Sequence, residues 1–368
     1  MPSHPLSVLT VNAGSSSLKL RLVGPADELV ADEELPADGG AVPDERVAAA
    51  VRRLGPADAV GHRIVHGGRR FTAPVRLDAE VVAGLRELTP LAPLHQPAAL
   101  AAVDAVSRAL PDLPAVACLD TAFHAGLPAE AATYALSRAW NERHGLRRYG
   151  FHGLSHAYAS RRAAELLERP ALGLRVVTCH LGAGASLAAV ADGRSVNTTM
   201  GFTPTEGLVM ATRSGNVDPG MLLWLLRDRG VPVEEAAETL EHGSGLLGLS
   251  GTDDMREVLD RAARGDGPAA LARDVYLHRL RALVAAMAAA MAGLDALVFT
   301  GGVGERASQI RRGAAAGLGF LGVAVDAEAD ASATPDAEVT TAGARVRTLV
   351  VRAREDLEMA REVRATLR

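Results

Sequence analysis

Two short segments of similar composition have residues suited to holding a polyphosphate. The apolar run 8–13 is followed by a Gly-Ser tip at 14–17, and the apolar run 176–181 is followed by a Gly-Ala-Gly tip at 182–184. A second apolar run follows each tip, so both segments predict a hairpin. Small tips let backbone N–H groups approach an anion closely. Two such hairpins from two related halves could hold a polyphosphate from both sides of a cleft, which predicts a phosphotransferase or an ATPase.

Composition narrows the class of protein further. A chain of 368 residues with 48% hydrophobic content can bury two cores. The net charge of −5 provides no general basic field, so neither nucleic acid nor a membrane is expected as a partner. Cys118 and Cys179 lie in apolar runs and are predicted to be small core residues, which favours a reducing, cytoplasmic setting. The first residues show no basic segment followed by an apolar core, so no secretory signal is predicted.

The elements that must position these tips alternate along the chain. Short β-branched runs alternate with longer segments of helical periodicity, which predicts an α/β chain whose halves each contain a mixed sheet flanked by helices. Asp192-Gly193 between two apolar runs predicts a further tight hairpin. The segment 326–342 is poor in large apolar residues and is predicted to be a surface turn.

Seven motifs resemble those of the acetate kinase (acetokinase) family, in that family's order and over nearly the whole chain. They are NAGSSSLK at 12–19, GHRIVHGG at 61–68, LAPLH at 91–95, DTAFH at 120–124, YGFHG at 149–153, MGFTPTEG at 200–207 and FTGGVGE at 299–305. The resemblance implies two duplicated actin-like ATPase domains with a cleft between them, the fold of sugar kinases, actin and heat-shock ATPases. The expected ranges are 1–124 plus 357–368 for the N-terminal domain and 125–356 for the nucleotide-binding domain.

The resemblance also implies a reaction and its partners. ATP and acetate are converted reversibly into ADP and acetyl phosphate by direct in-line transfer, with Mg²⁺, or alternatively Mn²⁺, as the metal. A cytoplasmic homodimer is expected.

Four residues are predicted to be catalytic. Transfer between two anions requires charge neutralisation and alignment, and arginine provides both because it is permanently charged and can bind an oxyanion at two points. We assign Arg63 to anchoring the acetate carboxylate and Arg213 to clamping the transferring phosphoryl group, with the roles open to sharing. His152 donates to the equatorial oxygens as a second transition-state stabiliser. Asp120 positions the metal or the acceptor, because ionised acetate has no proton for a general base to remove.

The resemblance carries three further sets of residues into the site. The acyl pocket comprises Arg63, Val65, Leu94, Phe151 and Pro204. The nucleotide set comprises Lys19, His180, Leu181, Gly182, Ala183, Gly184, Asp254, Met255, Arg256, Gly302, Val303 and Gly304. Asn12 and Glu355 are the expected metal-positioning residues. Of the other histidines, His62, His66, His95 and His124 are left open.

The chain departs from the family pattern in four places. It looks shortened between Val23 and Ala59, Ala183 replaces an expected Asn, and Arg306 stands where Asn is expected. Near the C-terminus, Glu355 and Asp356 compete for the metal role. Two alternatives remain beside acetate kinase: a kinase for propionate or butyrate, and a non-catalytic nucleotide-binding regulator.

Overall fold

The computed structural model describes residues 6–14, 17–37, 42–93 and 95–368, so Leu94 lies outside the described residues. The strands are β1 (Val8–Ala13), β2 (Ser17–Val23), β3 (Leu29–Pro36), β4 (Ala59–Ile64), β5 (Val75–Arg76), β6 (Ala115–Leu119), β7 (Arg175–Leu181), β8 (Ala185–Ala191), β9 (Arg194–Thr198), β10 (Ala296–Thr300), β11 (Ala337–Glu338) and β12 (Arg347–Val350). The α-helices are α1 (Asp44–Leu54), α2 (Ala79–Glu87), α3 (Gln96–Ala109), α4 (Ala129–Ala132), α5 (Arg138–His144), α6 (Gly153–Leu166), α7 (Pro219–Asp228), α8 (Val233–Glu241), α9 (Gly245–Ser250), α10 (Met255–Ala263), α11 (Gly267–Ala290), α12 (Gly301–Arg306), α13 (Ser308–Ala316), α14 (Ala327–Ser332) and α15 (Glu355–Thr366).

The chain forms two compact units. Unit 1 comprises Met1–Ala125, Phe151–Tyr158 and Arg354–Arg368, and unit 2 comprises Gly126–Gly150 and Ala159–Ala353. The units differ from the expected ranges chiefly because 151–158 packs with unit 1. The domain ranges given above therefore stay a prediction.

Unit 1 is built on a six-stranded sheet with the order β3-β2-β1-β4-β6-β5. Alternate residues of its strands face two different layers. Leu9 and Val11 of β1 pack in a core cluster with residues of α1 and α3. Val8 packs instead in a cluster with Met359 and Val363 of α15. This alternation places every second side chain of β1, β4 and β6 on the α15 side of the sheet.

Unit 2 repeats the same topology. Its sheet has the order β11-β12-β10-β7-β8-β9, which read from β9 gives the same succession as unit 1 read from β3. In both sheets the first hairpin is antiparallel and its first strand is parallel to the next strand inward. The predicted duplication and the α/β fold with two mixed sheets are therefore confirmed.

Several local predictions can be compared with the structure directly. Asp192 and Gly193 adopt φ values of 54° and 74° between β8 and β9, which confirms the predicted tight hairpin. The prediction of a surface turn over 326–342 is wrong, because the segment contains α14 and β11. Asp326 caps α14 by accepting from the N–H groups of Glu328 and Ala329, so the helix does not depend on large apolar residues.

Three further expectations concern the shortened stretch, the cysteines and the membrane. The stretch 23–59 still contains β3 and α1. Cys118 and Cys179 are buried free thiols, as predicted. In the part of the chain that the structure describes, no helix has both the length and the apolar character needed to cross a bilayer.

Candidate active site

Four residues predicted from the sequence lie together at one edge of the unit 1 sheet. Arg63 Nε donates to both carboxylate oxygens of Asp120 at 3.2 and 3.1 Å, and its Nη2 donates to Oδ2 at 2.6 Å. Arg63 Nη1 donates to Asn12 Oδ1 at 3.2 Å and lies 3.6 Å from Glu355 Oε2. Asn12 Nδ2 donates to the same Glu355 oxygen at 3.3 Å. Arg63 is therefore the centre of a network of two carboxylates and one amide.

Parallel strands explain why these residues meet. Asn12 and Arg63 lie near the ends of β1 and β4, which are parallel. Asp120 directly follows β6, which is parallel to β4, and its N–H donates to the Ile64 carbonyl at 2.9 Å. Glu355 is the first residue of α15, the helix packed on this face. In open α/β sheets the carboxyl ends of parallel strands form the usual ligand site.

The charged groups of this network are largely shielded from solvent. The side chains of Arg63 and Asp120 are 20% and 2% exposed. Burial raises the pKa of the Asp120 carboxyl, and Arg63 opposes that shift. Burial lowers the pKa of Arg63, but Asp120 and Glu355 outweigh it, so the net pKa is raised and the guanidinium stays charged. The strand ends therefore hold a charged guanidinium beside two carboxyl groups.

His152 is fixed beside Asp120 by the backbone. The Gly153 N–H donates to the Asp120 carbonyl at 2.9 Å, and His152 itself adopts a left-handed φ of 55°. A Cβ at position 153 would lie 2.2 Å from the Asp120 carbonyl oxygen, so only glycine allows this approach. A non-glycine residue in this conformation costs about 1–3 kcal/mol and is frequent at functional sites.

A buried histidine pair supports the same turn. His124 Nε2 is 3.1 Å from the Phe151 carbonyl oxygen, to which it donates, and the His124 ring packs against His156 at 5.7 Å. Burial lowers the pKa of His124 to about 4, so the ring is neutral at physiological pH. His124 was left open by sequence reasoning, because only the fold places it under the residue that precedes His152.

The predicted acyl-pocket residues are distributed over both units. Val65 and Phe151 belong to unit 1, where both are buried, and the His66 ring contacts the Phe151 ring at 5.5 Å. Pro204 belongs to unit 2. Leu94, as stated above, is outside the described residues.

Arg213 is anchored to the loop that carries Pro204. Its Nη1 donates to the Pro204 carbonyl at 3.3 Å. Burial lowers the pKa of Arg213, and Glu241 opposes that shift. The guanidinium remains charged at neutral pH because an arginine starts from a pKa above 12. Arg213 and Pro204 therefore belong to one local arrangement within unit 2.

Three residues to which the sequence analysis gave no role hold the same loop, although Glu206 lies in the motif at 200–207. Glu206 accepts from Tyr134 Oη at 2.6 Å and from Arg148 Nη2 at 2.5 Å. Tyr134 Oη also accepts from the Phe202 N–H at 2.7 Å. Tyr134 and Arg148 are far from Glu206 in sequence, so no local pattern indicated this network. A charged pair and a phenol thus fix residues 202–206.

A cavity of about 420 Å³ in unit 2 is lined by much of the predicted nucleotide set. Of that set, the residues that line it are Gly182, Ala183, Asp254, Met255, Arg256, Gly302 and Val303. Its size is within the range of small-molecule sites. Asp254 caps α10 by accepting from the Arg256 N–H, and the Arg256 side chain pairs with the Asp254 carboxylate at 2.6 Å.

The remaining predicted nucleotide residues do not line this cavity. Among the described residues of unit 2, His180, Leu181, Gly184 and Gly304 are not part of the cavity lining, although Gly182 N–H donates to the Gly184 carbonyl at 3.0 Å and closes the tip. Lys19 belongs to unit 1, where its ammonium lies 3.7 Å from Glu34.

A buried ion pair supports the helix that lines this cavity. Arg311 Nε donates to Asp330 Oδ1 at 2.5 Å, and both side chains are almost fully buried. Arg311 Nη1 donates to the Gly304 and Glu305 carbonyls at 2.9 and 2.8 Å, at the end of α12. Sequence reasoning missed this pair, because nothing in the sequence around Asp330 indicates burial.

The chain is similar to known proteins over most of its length. The profile of the acetokinase family matches residues 41–361. A protein of Synechococcus sp. (strain JA-2-3B'a(2-13)) named "Acetate kinase" is 49% identical over 302 residues, covering 82% of this chain and 74% of that protein. The crystal structure of Porphyromonas gingivalis acetate kinase superposes with a TM-score of 0.90 at 35% identity, covering 98% of this chain and 100% of the other. A propionate kinase from Francisella tularensis gives a TM-score of 0.89 at 34% identity, with coverages of 98% and 99%.

Proposed function

The chain belongs to the acetokinase family, and we infer from this membership that it is an ATP-dependent acetate kinase. It transfers the γ-phosphoryl group of ATP reversibly to acetate, giving acetyl phosphate and ADP. The observation that carries this inference is the match over nearly the full length to a solved acetate kinase. The intact network of Arg63, Asp120 and Glu355 supports catalysis over a purely regulatory role, because it gathers a guanidinium for anion binding and carboxylates for a metal at the carboxyl ends of parallel strands.

We propose that Arg63 binds the acetate carboxylate through the one guanidinium N–H that is not engaged in its network. Its Nε, one Nη2 hydrogen and the Nη1 side are engaged by Asp120, Asn12 and Glu355. A guanidinium has five N–H groups, and the second Nη2 hydrogen has no partner among the residues the structure describes. Asp120 then serves to orient Arg63 and to keep it charged. Acetate, already ionised, needs no base.

Arg213 and His152 are proposed to stabilise the transferring group. Charge is spread over the equatorial oxygens in the transition state, so a guanidinium and an imidazole N–H aimed at them lower the barrier. The contact of Arg213 with the Pro204 carbonyl restricts the guanidinium. The backbone turn at His152 fixes the position from which its imidazole extends.

The oxygen donors at the edge of the unit 1 sheet fit Mg²⁺. Asn12 and Glu355 offer an amide oxygen and a carboxylate, and Mg²⁺ in such enzymes takes one or two carboxylates together with substrate phosphates and water. When bound, the metal neutralises phosphate charge. Glu355 is favoured over Asp356, because Glu355 contacts Asn12 and Arg63 in the network at the strand ends, whereas Asp356 is paired with Arg354 at 3.0 Å and lies 3.5 Å from Arg21.

A homodimer is proposed from an unusual helix in unit 2. The sequence of α7 is PGMLLWLLRD, yet none of its residues is buried. Met221, Leu223 and Trp224 are 42%, 50% and 48% exposed, and Val217 and Val233 near its ends are exposed as well. An apolar helix face of this kind marks a protein interface. We propose that a second copy covers it and that the protein is cytoplasmic.

A propionate kinase is the second candidate, because the Francisella tularensis structure is nearly as similar as the acetate kinase structure. The two candidates differ in the room left for the acyl chain beside Val65. Incubation with ATP, Mg²⁺, hydroxylamine and either acetate, propionate or butyrate measures each acyl hydroxamate separately. Acetate should give the highest kcat/KM, since one methylene typically changes the ratio by about 10- to 200-fold. Val65→Ala should narrow the gap, whereas a higher value for propionate in the unmodified protein would favour the second candidate.

A further inference from the structure

A buried glutamine holds the segment that follows Arg63. Gln96 is the first residue of α3, and its side chain is fully buried. Its Oε1 accepts from the His66 N–H at 3.2 Å, and its Nε2 donates to the His66 carbonyl at 3.1 Å and to the Leu85 carbonyl at 3.2 Å. The amide therefore uses its oxygen and both of its N–H groups.

The contact between Gln96 and His66 is the kind that a neighbouring strand would make. In a hydrogen-bonded pair of antiparallel strands, a residue exchanges both its N–H and its carbonyl with one residue of the partner strand. β4 ends at Ile64, so His66 lies two residues beyond the strand, and the Gln96 amide takes the place of that partner. A buried backbone group without a partner is costly, so the position of this segment depends on the Gln96 side chain.

Two further side chains hold the residues after His66. Thr121 Oγ1 accepts from the Gly67 N–H at 3.0 Å, and Nδ1 of the His66 ring accepts from the Gly68 N–H at 2.9 Å. Burial lowers the pKa of His66 to about 4, so the ring is neutral at physiological pH and its Nδ1 can accept. A Cβ at position 67 would lie 2.1 Å from the Phe71 carbonyl oxygen, so this turn requires glycine. The backbone of 66–68 is thus tightly held.

Val65 lies between Arg63 and this held segment. It directly precedes His66 and belongs to the proposed acyl pocket. It is buried, as is Phe151, whose ring packs against the His66 ring with the ring centres 5.5 Å apart. An apolar side chain selects ligands by volume only where its backbone cannot move away, because a wall that yields makes room for an extra methylene. Whether Val65 can select is therefore decided by what holds its neighbour.

We propose that Gln96 is a positioning residue that sets the carboxylate preference of the acyl site. By holding both backbone groups of His66, it keeps Val65 in place beside the methyl group of acetate, so that a longer acyl chain is resisted. This inference rests on the proposed kinase function and adds to it a residue that lies just after the motif at 91–95.

The test compares kcat/KM for acetate and propionate in the full chain by hydroxamate formation, with ATP and Mg²⁺ saturating. Gln96→Met keeps the length of the side chain and removes all three of its hydrogen bonds. We expect it to raise KM for acetate by roughly 5- to 30-fold, the effect of one or two lost hydrogen bonds. The acetate-to-propionate ratio of kcat/KM should fall by about tenfold. KM for ATP should stay unchanged.

Three further variants make the test specific. Thr121→Val removes only the hydroxyl that holds Gly67, should lower the ratio in the same direction, and decides the question if Gln96→Met does not fold. Val106→Ala, a buried change near the other end of α3 in a different core cluster, is the control for lost stability and should leave the ratio unchanged. Val65→Ala should lower the ratio less in the Gln96→Met background than alone, because both changes act on the same contact.

Two results would overturn the inference while leaving the kinase function intact. One is an unchanged or higher acetate-to-propionate ratio in the folded variants Gln96→Met and Thr121→Val. The other is an equal rise in KM for acetate and for ATP, which would indicate a general loss of structure. Absence of hydroxamate with acetate, propionate and butyrate in the unmodified protein would instead contradict the proposed function itself.

Discussion

Arg63 and Asp120 form a bidentate pair at the carboxyl ends of two parallel strands, with Arg63 Nη2 2.6 Å from Asp120 Oδ2. The aspartate side chain is 2% exposed. One consequence concerns stability as much as catalysis: removing the guanidinium leaves a buried carboxylate without its counter-charge. Arg63 therefore cannot be treated as a substrate contact that is independent of the fold.

We expect Arg63→Ala to lower the free energy of unfolding by about 3–5 kcal/mol, the usual cost of breaking a buried pair from one side. Urea unfolding measures this, and the double variant Arg63→Ala/Asp120→Ala should be less destabilised than the sum of the two single variants. Acetyl phosphate formation should be lost in all three. An Arg63→Ala protein that unfolds at the same urea concentration as the unmodified protein would show that the pair is not buried as described.

Arg213→Ala should affect turnover more than stability, because the Pro204 carbonyl that Arg213 contacts is a neutral partner. Guanidinium groups that stabilise a transferring phosphoryl group are worth about 10³- to 10⁵-fold in turnover. We expect kcat to fall on that scale with little change in thermal unfolding. Arg264→Ala serves as the control. Retention of most of the activity would remove Arg213 from the proposed catalytic set.

Buried histidines should make the fold sensitive to acid. Burial lowers the pKa of His62 to about 3 and of His66 and His124 to about 4, from 6.5 when unfolded. Below pH 6.5 these histidines become protonated in the unfolded chain but stay neutral in the folded chain. Their contribution to stability is therefore complete above 6.5 and is lost progressively as the pH falls toward 4, at up to about 1.4 kcal/mol per pH unit for each histidine.

Glu362 acts in the opposite direction. Burial raises its pKa from 4.5 to about 8. Its contribution to the free energy of unfolding is therefore complete below pH 4.5 and is lost as the pH rises through 8. Urea unfolding between about pH 5 and pH 7 should show stability increasing with pH. His62→Leu should make this dependence shallower, and Glu362→Gln should make it steeper. A flat profile in the unmodified protein would contradict the burial of these rings.

The buried pair of Arg311 and Asp330 predicts a defect in nucleotide binding without loss of the acyl site. Arg311 holds the carbonyl groups at the end of α12, the helix that lines the cavity. Asp330→Asn should cost about 3–5 kcal/mol of stability and raise KM for ATP more than KM for acetate. Arg312→Ala, which changes the partly exposed side chain next to Arg311 on α13, is the control. Equal changes in both KM values would mean that the pair acts only on global stability.

Much of the fold followed from local patterns, and so did the strand-end positions of three residues of the unit 1 network, although the contacts between them were not predicted. The hairpin tips and the ends of the β-branched runs predicted that Asn12, Arg63 and Asp120 lie at strand ends. Because β1, β4 and β6 are parallel, these ends meet at one edge of the sheet. The supporting contacts could not be predicted, because Arg148 meets Glu206, and Arg311 meets Asp330, only through the tertiary fold. The segment 326–342 was predicted to be a surface turn because it has few large apolar residues. In the structure the Asp326 cap and the buried pair of Asp330 with Arg311 hold a helix there instead.

The central claim is that the γ-phosphoryl group of ATP is transferred directly to acetate, and labelling the acetate oxygen tests it most directly. Incubation of the protein with ATP, Mg²⁺ and [¹⁸O]acetate, observed by ³¹P NMR, shows whether the γ-phosphoryl group is transferred to the acetate oxygen itself. The account predicts an acetyl phosphate signal shifted by ¹⁸O in the bridge between carbon and phosphorus, formed in step with ADP and reversed when ADP is added in excess. Formation of ADP with unlabelled inorganic phosphate and no acetyl phosphate would contradict it.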